Sequence, residues 1–116
     1  MRSDPVTIED VKDIIAGDLA NCDAEQFAAF QQYKVEPYYA PIVRYGNRDS
    51  VVVVARRRSA VIYWEDVEEG FNVSPLGDDG IILEHWCSQD ELGLALNSWI
   101  EGRNPRTKLG AAEPIP

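Results

Sequence analysis

Hydrophobic residues recur at helical spacing in two stretches near the start of the chain. Residues 7–20 carry an apolar stripe with a period of three to four, and acidic residues occupy the opposite face. A shorter stripe follows over residues 23–33, and Pro37 prevents its continuation because the residue before a proline is disfavoured in the helical region. Each stretch opens with a potential capping box, Thr7 with Asp10 and Asp23 with Gln26.

A third helical pattern lies near the end of the chain. Residues 89–101 carry an apolar stripe, with Ser88 and Glu91 placed as a capping box and Gly102 placed as the glycine that ends the helix. Residues 103–116 show no periodicity. They are predicted to be a flexible C-terminal tail.

Between the second and third helices the pattern changes to that of β-strands. Residues 36–41 read as an extended connector, and Gly46–Asn47 is a strong hairpin signal. The turn over residues 56–59 has neither glycine nor asparagine, so its register is left open. Runs rich in β-branched and aromatic residues predict strands over residues 42–45, 50–55, 60–64, 71–74 (a short edge strand) and 81–86.

Short connections between successive strands favour an antiparallel meander. The predicted fold is α+β: a four- to five-stranded antiparallel meander with two N-terminal helices and one C-terminal helix packed on it. Residues 1–102 are expected to form a single α+β domain. An edge strand over 71–74 leaves a monomer or a weak homodimer as the expected state.

The charge of the chain is one-sided. Twenty Asp and Glu residues oppose eleven Lys and Arg residues, which gives a net charge of −9 among 116 residues. This charge disfavours nucleic acid and anionic membranes as partners and favours a basic protein. No apolar segment has the length of a membrane span. With Cys22 and Cys87 expected to be reduced thiols, the chain is predicted to be cytoplasmic.

Catalytic, metal and cofactor motifs give no positive signal. His85 and Cys87 lie on one side of a predicted strand, where a half-buried structural position is the simpler interpretation. Cys22 lacks the paired spacing of a zinc site, and Asp78–Gly80 lacks the alternating ligands of a calcium loop. We therefore expect no catalytic residue, no metal site, no cofactor and no enzymatic role.

The distinctive feature is an acidic run in the second half of the chain. Between Glu65 and Glu101 no Lys or Arg occurs. Two aromatic residues bracket its densest part, which suits an interface with aromatic anchors and a charged rim. Alternatively, these aromatics face the core, or residues 56–58 or the basic tail neutralise the acids. The predicted binding residues are Trp64, Glu65, Asp66, Glu68, Glu69, Phe71, Asp78 and Asp79.

The stretch Val61–Phe71, followed by Asp79–Gly80 and the helix from Ser88, resembles the small immunity proteins of bacterial polymorphic toxin systems. The resemblance covers less than half of the chain. It implies an acidic inhibitor surface that sequesters a basic partner, a nuclease-type toxin, and it assigns no individual inhibitory residue.

A second functional hypothesis is a regulatory or ligand-sensing domain. Its pocket would lie between sheet and helices and would be lined by Tyr38, Tyr39, Tyr63 and Trp86. A third hypothesis, an enzyme that uses carboxylates, has no distinguishing signal in so acidic a chain.

Overall fold

The computed structural model describes residues 6–44, 46–67, 69–83 and 90–102. The strands form one antiparallel sheet in the order β1-β2-β3-β4, and the α+β meander with two N-terminal helices and one C-terminal helix is confirmed. The elements are α1 Ile8–Leu19, α2 Ala24–Tyr33, β1 Lys34–Arg44, β2 Asn47–Arg57, β3 Ala60–Glu65, β4 Gly70–Pro75 and α3 Leu92–Asn97.

Both N-terminal helices begin at the predicted capping boxes. Thr7 Oγ1 accepts a hydrogen bond from the Asp10 N–H at 3.0 Å, and Asp10 Oδ2 accepts one from the Thr7 N–H at 3.2 Å. The Asp23 and Gln26 pair makes the same reciprocal bonds at 2.8 and 2.9 Å. Both predictions are confirmed, because a capping box depends only on residues three positions apart.

β1 is longer than predicted and starts directly after α2. The segment 36–41, expected to be a connector, belongs to β1. Its prolines are tolerated because β1 is an edge strand of the sheet, where one row of N–H groups needs no partner. The predicted hairpin is present, but Asn47 is the first residue of β2 and pairs with Arg44, so it is a strand residue and not the turn residue that was predicted.

The turn between β2 and β3 is as tight as a two-residue hairpin allows. Arg57 pairs with Ala60, which leaves only Arg58 and Ser59 in the turn and fixes the register that the sequence left open. Arg58 adopts a left-handed φ of 57°, a conformation that usually selects glycine or asparagine. The backbone conformation at this position is therefore unfavourable for an arginine.

One face of the sheet packs on the helices and forms the larger core. Strand alternation places Val52, Val54, Ile62 and Phe71 on this side, in one cluster with apolar residues of all three helices. Leu92 and Leu96 of α3 are fully buried in the same cluster. The helices at the two ends of the chain thus cover one face.

The opposite face is apolar as well, and Ile82 helps to cover it. This face carries Val51, Val53 and Tyr63, which form a second buried cluster with Ile82. Ile82 bridges Ile42 on one edge of the sheet and Leu76 beyond the other edge. A single residue can touch both edges only because the sheet is strongly curled.

The predicted strand over residues 81–86 is only partly described. Within residues 81–83 the pairing is limited to the isolated bridges of Ile82, so these residues do not form a regular strand. Residues 84–86 lie outside the described residues.

The C-terminal helix is shorter than predicted, and its predicted boundaries are wrong. α3 begins at Leu92, with Glu91 as its N-cap residue, and not after Ser88 as predicted. Ser88 itself lies outside the described residues. It ends at Asn97, so Gly102 does not terminate it, although Gly102 has a φ of 86°. The predicted tail over residues 103–116 lies outside the described residues.

Side chains of the first two helices hold α3 in place. Glu91 makes no side-chain capping bond, and Asp18 Oδ2 of α1 accepts the Leu92 N–H at 2.8 Å instead. Gln26 Nε2 of α2 donates to the Gly93 carbonyl at 3.2 Å and to Asn97 Oδ1 at 3.1 Å. An added Cβ at Gly93 would lie 3.0 Å from the Gln26 amide, so a side chain there would push this amide away from its bonds to α3. α3 is thus defined by tertiary contacts.

Candidate interaction surface

The two aromatic residues that bracket the acidic run lie in the core. Trp64 is 7% exposed and Phe71 is fully buried. They pair across β3 and β4, with ring centroids 5.0 Å apart in an edge-to-face arrangement. Both aromatic residues therefore face the core and do not serve as exposed anchors of an interface.

Glu65 is also buried, and it organises the turn between β3 and β4. Strand alternation places it on the opposite face from Trp64, with none of its surface exposed. Its Oε2 accepts the Val67 N–H at 3.3 Å, and its carbonyl accepts the Glu69 N–H at 2.8 Å. Because a buried carboxylate is costly without hydrogen bonds, Glu65 acts as a structural acceptor here and contributes no surface charge.

The outward charges of this turn come from its other residues. Asp66 is half-buried, and Glu69 is exposed with a left-handed φ of 61°. Between them Val67 projects into solvent with 56% of its surface exposed. Glu68 lies outside the described residues. The turn therefore presents carboxylates beside an exposed apolar side chain.

Asp78 and Asp79 lie at the other end of β4. They belong to a turn in which the Gly80 N–H donates to the Gly77 carbonyl at 2.9 Å and Asp79 Oδ1 accepts the Ile81 N–H at 3.2 Å. The six residues of β4 separate this turn from Glu69 by about 17 Å. The structure does not bring the two acidic turns together.

The three consecutive arginines are equally remote from the turn between β3 and β4. They precede β3, whose length of six residues keeps them about 17 Å from its other end. Arg57 lies over the Tyr33 ring at 5.7 Å, and Arg56 Nε donates to the Arg58 carbonyl at 2.9 Å. Residues 56–58 therefore do not neutralise this acidic turn.

The chain segment before α3 brings further carboxylates to the same end of β4. The Phe71 N–H donates to the Asp90 carbonyl at 2.9 Å, which places Asp90 beside the first residues of β4. Exposed Glu91 follows, and Leu92 is capped by Asp18 of α1. Segment 90–92 thus connects the start of β4 to α1 through these two hydrogen bonds.

An open cleft of about 450 Å³ lies where this segment reaches the helices. Asp18, Cys22 and Glu91 line it, and Leu94, which is 41% exposed, stands at its side. Burial raises the pKa of the Cys22 thiol, and the negative charges of Asp18, Asp23 and Glu91 raise it further. Asp18 and Glu91 line the cleft themselves, and Asp23 adjoins Cys22 in the chain.

We define the acidic surface as the described carboxylates of the turn between β3 and β4, of the segment before α3, of the end of α1 and of the α2 cap. Sequence reasoning missed its helical members: Asp18 was only a solvent-facing position of a helix, and Asp23 only a cap. No local pattern reveals this, because the hydrogen bond from the Leu92 N–H to Asp18 Oδ2 spans 74 positions. The members of the acidic surface are Asp18, Asp23, Asp66, Glu69, Asp90 and Glu91.

The described tyrosines of the ligand-sensing hypothesis do not share one face of the sheet. Tyr38 and Tyr39 are exposed and, as strand neighbours, point to opposite faces, while Tyr63 is buried. Trp86, His85 and Cys87 lie outside the described residues. Among the described residues, no three His, Cys, Asp or Glu side chains are grouped as a metal site would require. No helix in this part of the chain is long and apolar enough to cross a bilayer.

Comparisons with known proteins identify no relative of this chain. No family model matches the chain, and neither a curated protein nor a solved structure matches it. The chemistry of the acidic surface is therefore the basis for a functional hypothesis.

Proposed function

We propose that this chain is a small acidic binding protein that sequesters a basic protein partner, and that it acts as an immunity protein against a nuclease-type toxin. The observation that carries the proposal is the acidic surface, which collects carboxylates from α1, the α1–α2 junction, the turn between β3 and β4, and the segment before α3. Carboxylates gathered on one side attract a cationic protein over distances of about a Debye length.

The surface has features that suit protein binding more than solubility alone. Val67 in the turn and Leu94 beside the cleft are exposed apolar side chains among the carboxylates. Apolar contacts surrounded by charge provide affinity, while the charge speeds encounter and selects the partner.

Nuclease toxins carry positive charge to bind nucleic acid, so a negative surface can compete for the same residues. Such a role places the protein in the cytoplasm, as a monomer or a weak homodimer that binds its partner through the acidic surface. The partially covered β4 edge is consistent with this state, since Phe71 of that edge already donates to Asp90.

The proposal is tested with the immobilised protein and an extract of its native host. A specific cationic partner should be retained at low salt and released as the ionic strength rises. The captured protein is then identified, purified and titrated, because retention by itself does not distinguish specific from general electrostatic binding.

Two charge-matched double variants decide which surface binds. Asp66→Asn with Glu69→Gln removes two charges from the acidic surface, while Asp78→Asn with Asp79→Asn removes two charges from the other end of β4. We expect the first variant to weaken binding by about tenfold or more and the second by less than about twofold. Equal losses would show that only net charge matters, and the proposed surface would be wrong.

A further inference from the structure

A second cleft, separate from the acidic surface, lies between α1, the end of α2 and the start of β1. Its volume is about 330 Å³, at the lower end of the range of small-molecule sites. Buried Ile15 and Phe30 contribute apolar surface, and half-buried Val35 and Pro37 line it further. An apolar group of a ligand would find a largely preformed place here.

The rim of this cleft carries positive charge in an otherwise acidic chain. Lys12 and Lys34 line it, and they are two of only three lysines in the sequence. Glu36 lies at the same rim, and Lys12 Nζ contacts Glu36 Oε2 at 3.1 Å. The hydrogen bond to Glu36 raises the pKa of Lys12, so this lysine stays cationic throughout the neutral range.

An irregularity of β1 forms one wall of the cleft. Lys34 pairs with Ala55 and Tyr38 with Val53, so four steps along β1 correspond to two along β2. The intervening residues 35–37 leave the regular ladder and line the cleft. Bulges of this kind redirect side chains and are frequent beside binding sites.

We propose that this lysine-rimmed cleft binds a small molecule that has an apolar body and a single carboxylate. The apolar body occupies the floor between Ile15 and Phe30, and the carboxylate meets Lys34 and Lys12. The ion pair of Lys12 with Glu36 opposes the ligand, because Glu36 competes for the same ammonium group. Both members of this pair are solvent-exposed, so the competition is modest.

The test compares octanoate with octylamine, which have the same alkyl chain and opposite charges. Each is titrated into the full chain and followed by amide chemical shifts in NMR spectra. We expect octanoate to cause saturable shifts around Ile15, Phe30 and Val35, with half-saturation on the order of 1 mM, and acetate to cause none. The net charge of −9 favours the amine, so a preference for octanoate must come from the cleft.

Single-charge variants give results of opposite sign. Lys34→Gln should weaken octanoate binding by about two- to fivefold, while Glu36→Gln should strengthen it by a similar factor because Lys12 is released. Arg48→Gln removes an exposed positive charge on β2 and serves as the control with unchanged affinity.

Absence of saturable shifts with octanoate, an equal response to octylamine, or a Glu36→Gln variant that weakens binding would overturn the proposal. None of these outcomes bears on the acidic surface, which involves other residues. A negative result for the lysine-rimmed cleft therefore does not contradict the proposed role of the acidic surface, and the reverse is also true.

Discussion

Glu65 shows how the position of one residue changes the interpretation of a charged segment. In the sequence it is the first of several acids after a strand, and a solvent-facing position is the natural expectation. β-Strand alternation instead places its side chain on the inner face of a curled sheet, where the turn's N–H groups need acceptors. The negative charge of the surface therefore comes from its neighbours.

Replacement of Glu65 by alanine should lower the free energy of unfolding by about 2–3 kcal/mol. The change removes the acceptor of the Val67 N–H and leaves a small cavity where the buried Glu65 side chain was. Urea denaturation measures the loss, and amide hydrogen exchange at Val67 should become faster. Glu91→Gln, at an exposed site without a capping bond, is the control and should change stability by less than about 0.5 kcal/mol. A loss for Glu65→Ala no larger than this would contradict the structural role.

Arg58 should be replaceable with a gain in stability. Its φ of 57° is unfavourable for an arginine but accessible to glycine, so Arg58→Gly should stabilise the protein by about 0.5–1 kcal/mol. Thermal unfolding measures the shift. Arg56→Gly, within regular strand β2, should have the opposite sign because glycine weakens a strand. Destabilisation by Arg58→Gly would show that the arginine side chain has a role beyond the turn.

The thiol of Cys22 serves as a local probe of the acidic surface. Because burial and three carboxylates raise its pKa, the thiolate fraction near pH 8 is smaller than in a free cysteine, and alkylation is slower. In a Cys87→Ser background, Glu91→Gln should lower the pKa and accelerate iodoacetamide alkylation. The pH dependence of the rate measures this shift. No change would place Glu91 farther from the cleft than the structure does.

Among the elements, those defined by local contacts were predictable from sequence. The capping boxes of α1 and α2 depend on residues three positions apart, and the Gly46–Asn47 signal located the first hairpin, although Asn47 belongs to β2. The early start of β1 was missed because prolines conceal an edge strand. α3 was misplaced because its cap is Asp18, which no nearby pattern reveals.

Asp18→Ala should lower the free energy of unfolding by about 1–2 kcal/mol, since α3 would lose the acceptor of its first N–H group. Asp13→Ala, at an exposed position of the same helix, is the matched control and should have an effect below about 0.5 kcal/mol. Urea denaturation at neutral pH compares the two variants. Similar values for both would mean that Asp18 does not stabilise α3.

At the scale of the whole molecule, the curled meander separates charges that are close in sequence and joins charges that are distant. The length of β3 separates Arg58, in the turn between β2 and β3, from Glu69, and the length of β4 separates Asp78 and Asp79 from Glu69. Packing of α3 against α1 and α2 brings Glu91 to Asp18. Sequence inspection therefore found the excess of acid correctly but could not predict which carboxylates share a surface.

Hydrogen exchange of the protein with and without its purified cationic partner locates the surface that binds. Exchange should slow on binding in the turn between β3 and β4 and around residues 90–92, while residues 77–81 should be unchanged. Protection centred on residues 77–81, or on none of these segments, would contradict the assignment of the binding function to the acidic surface.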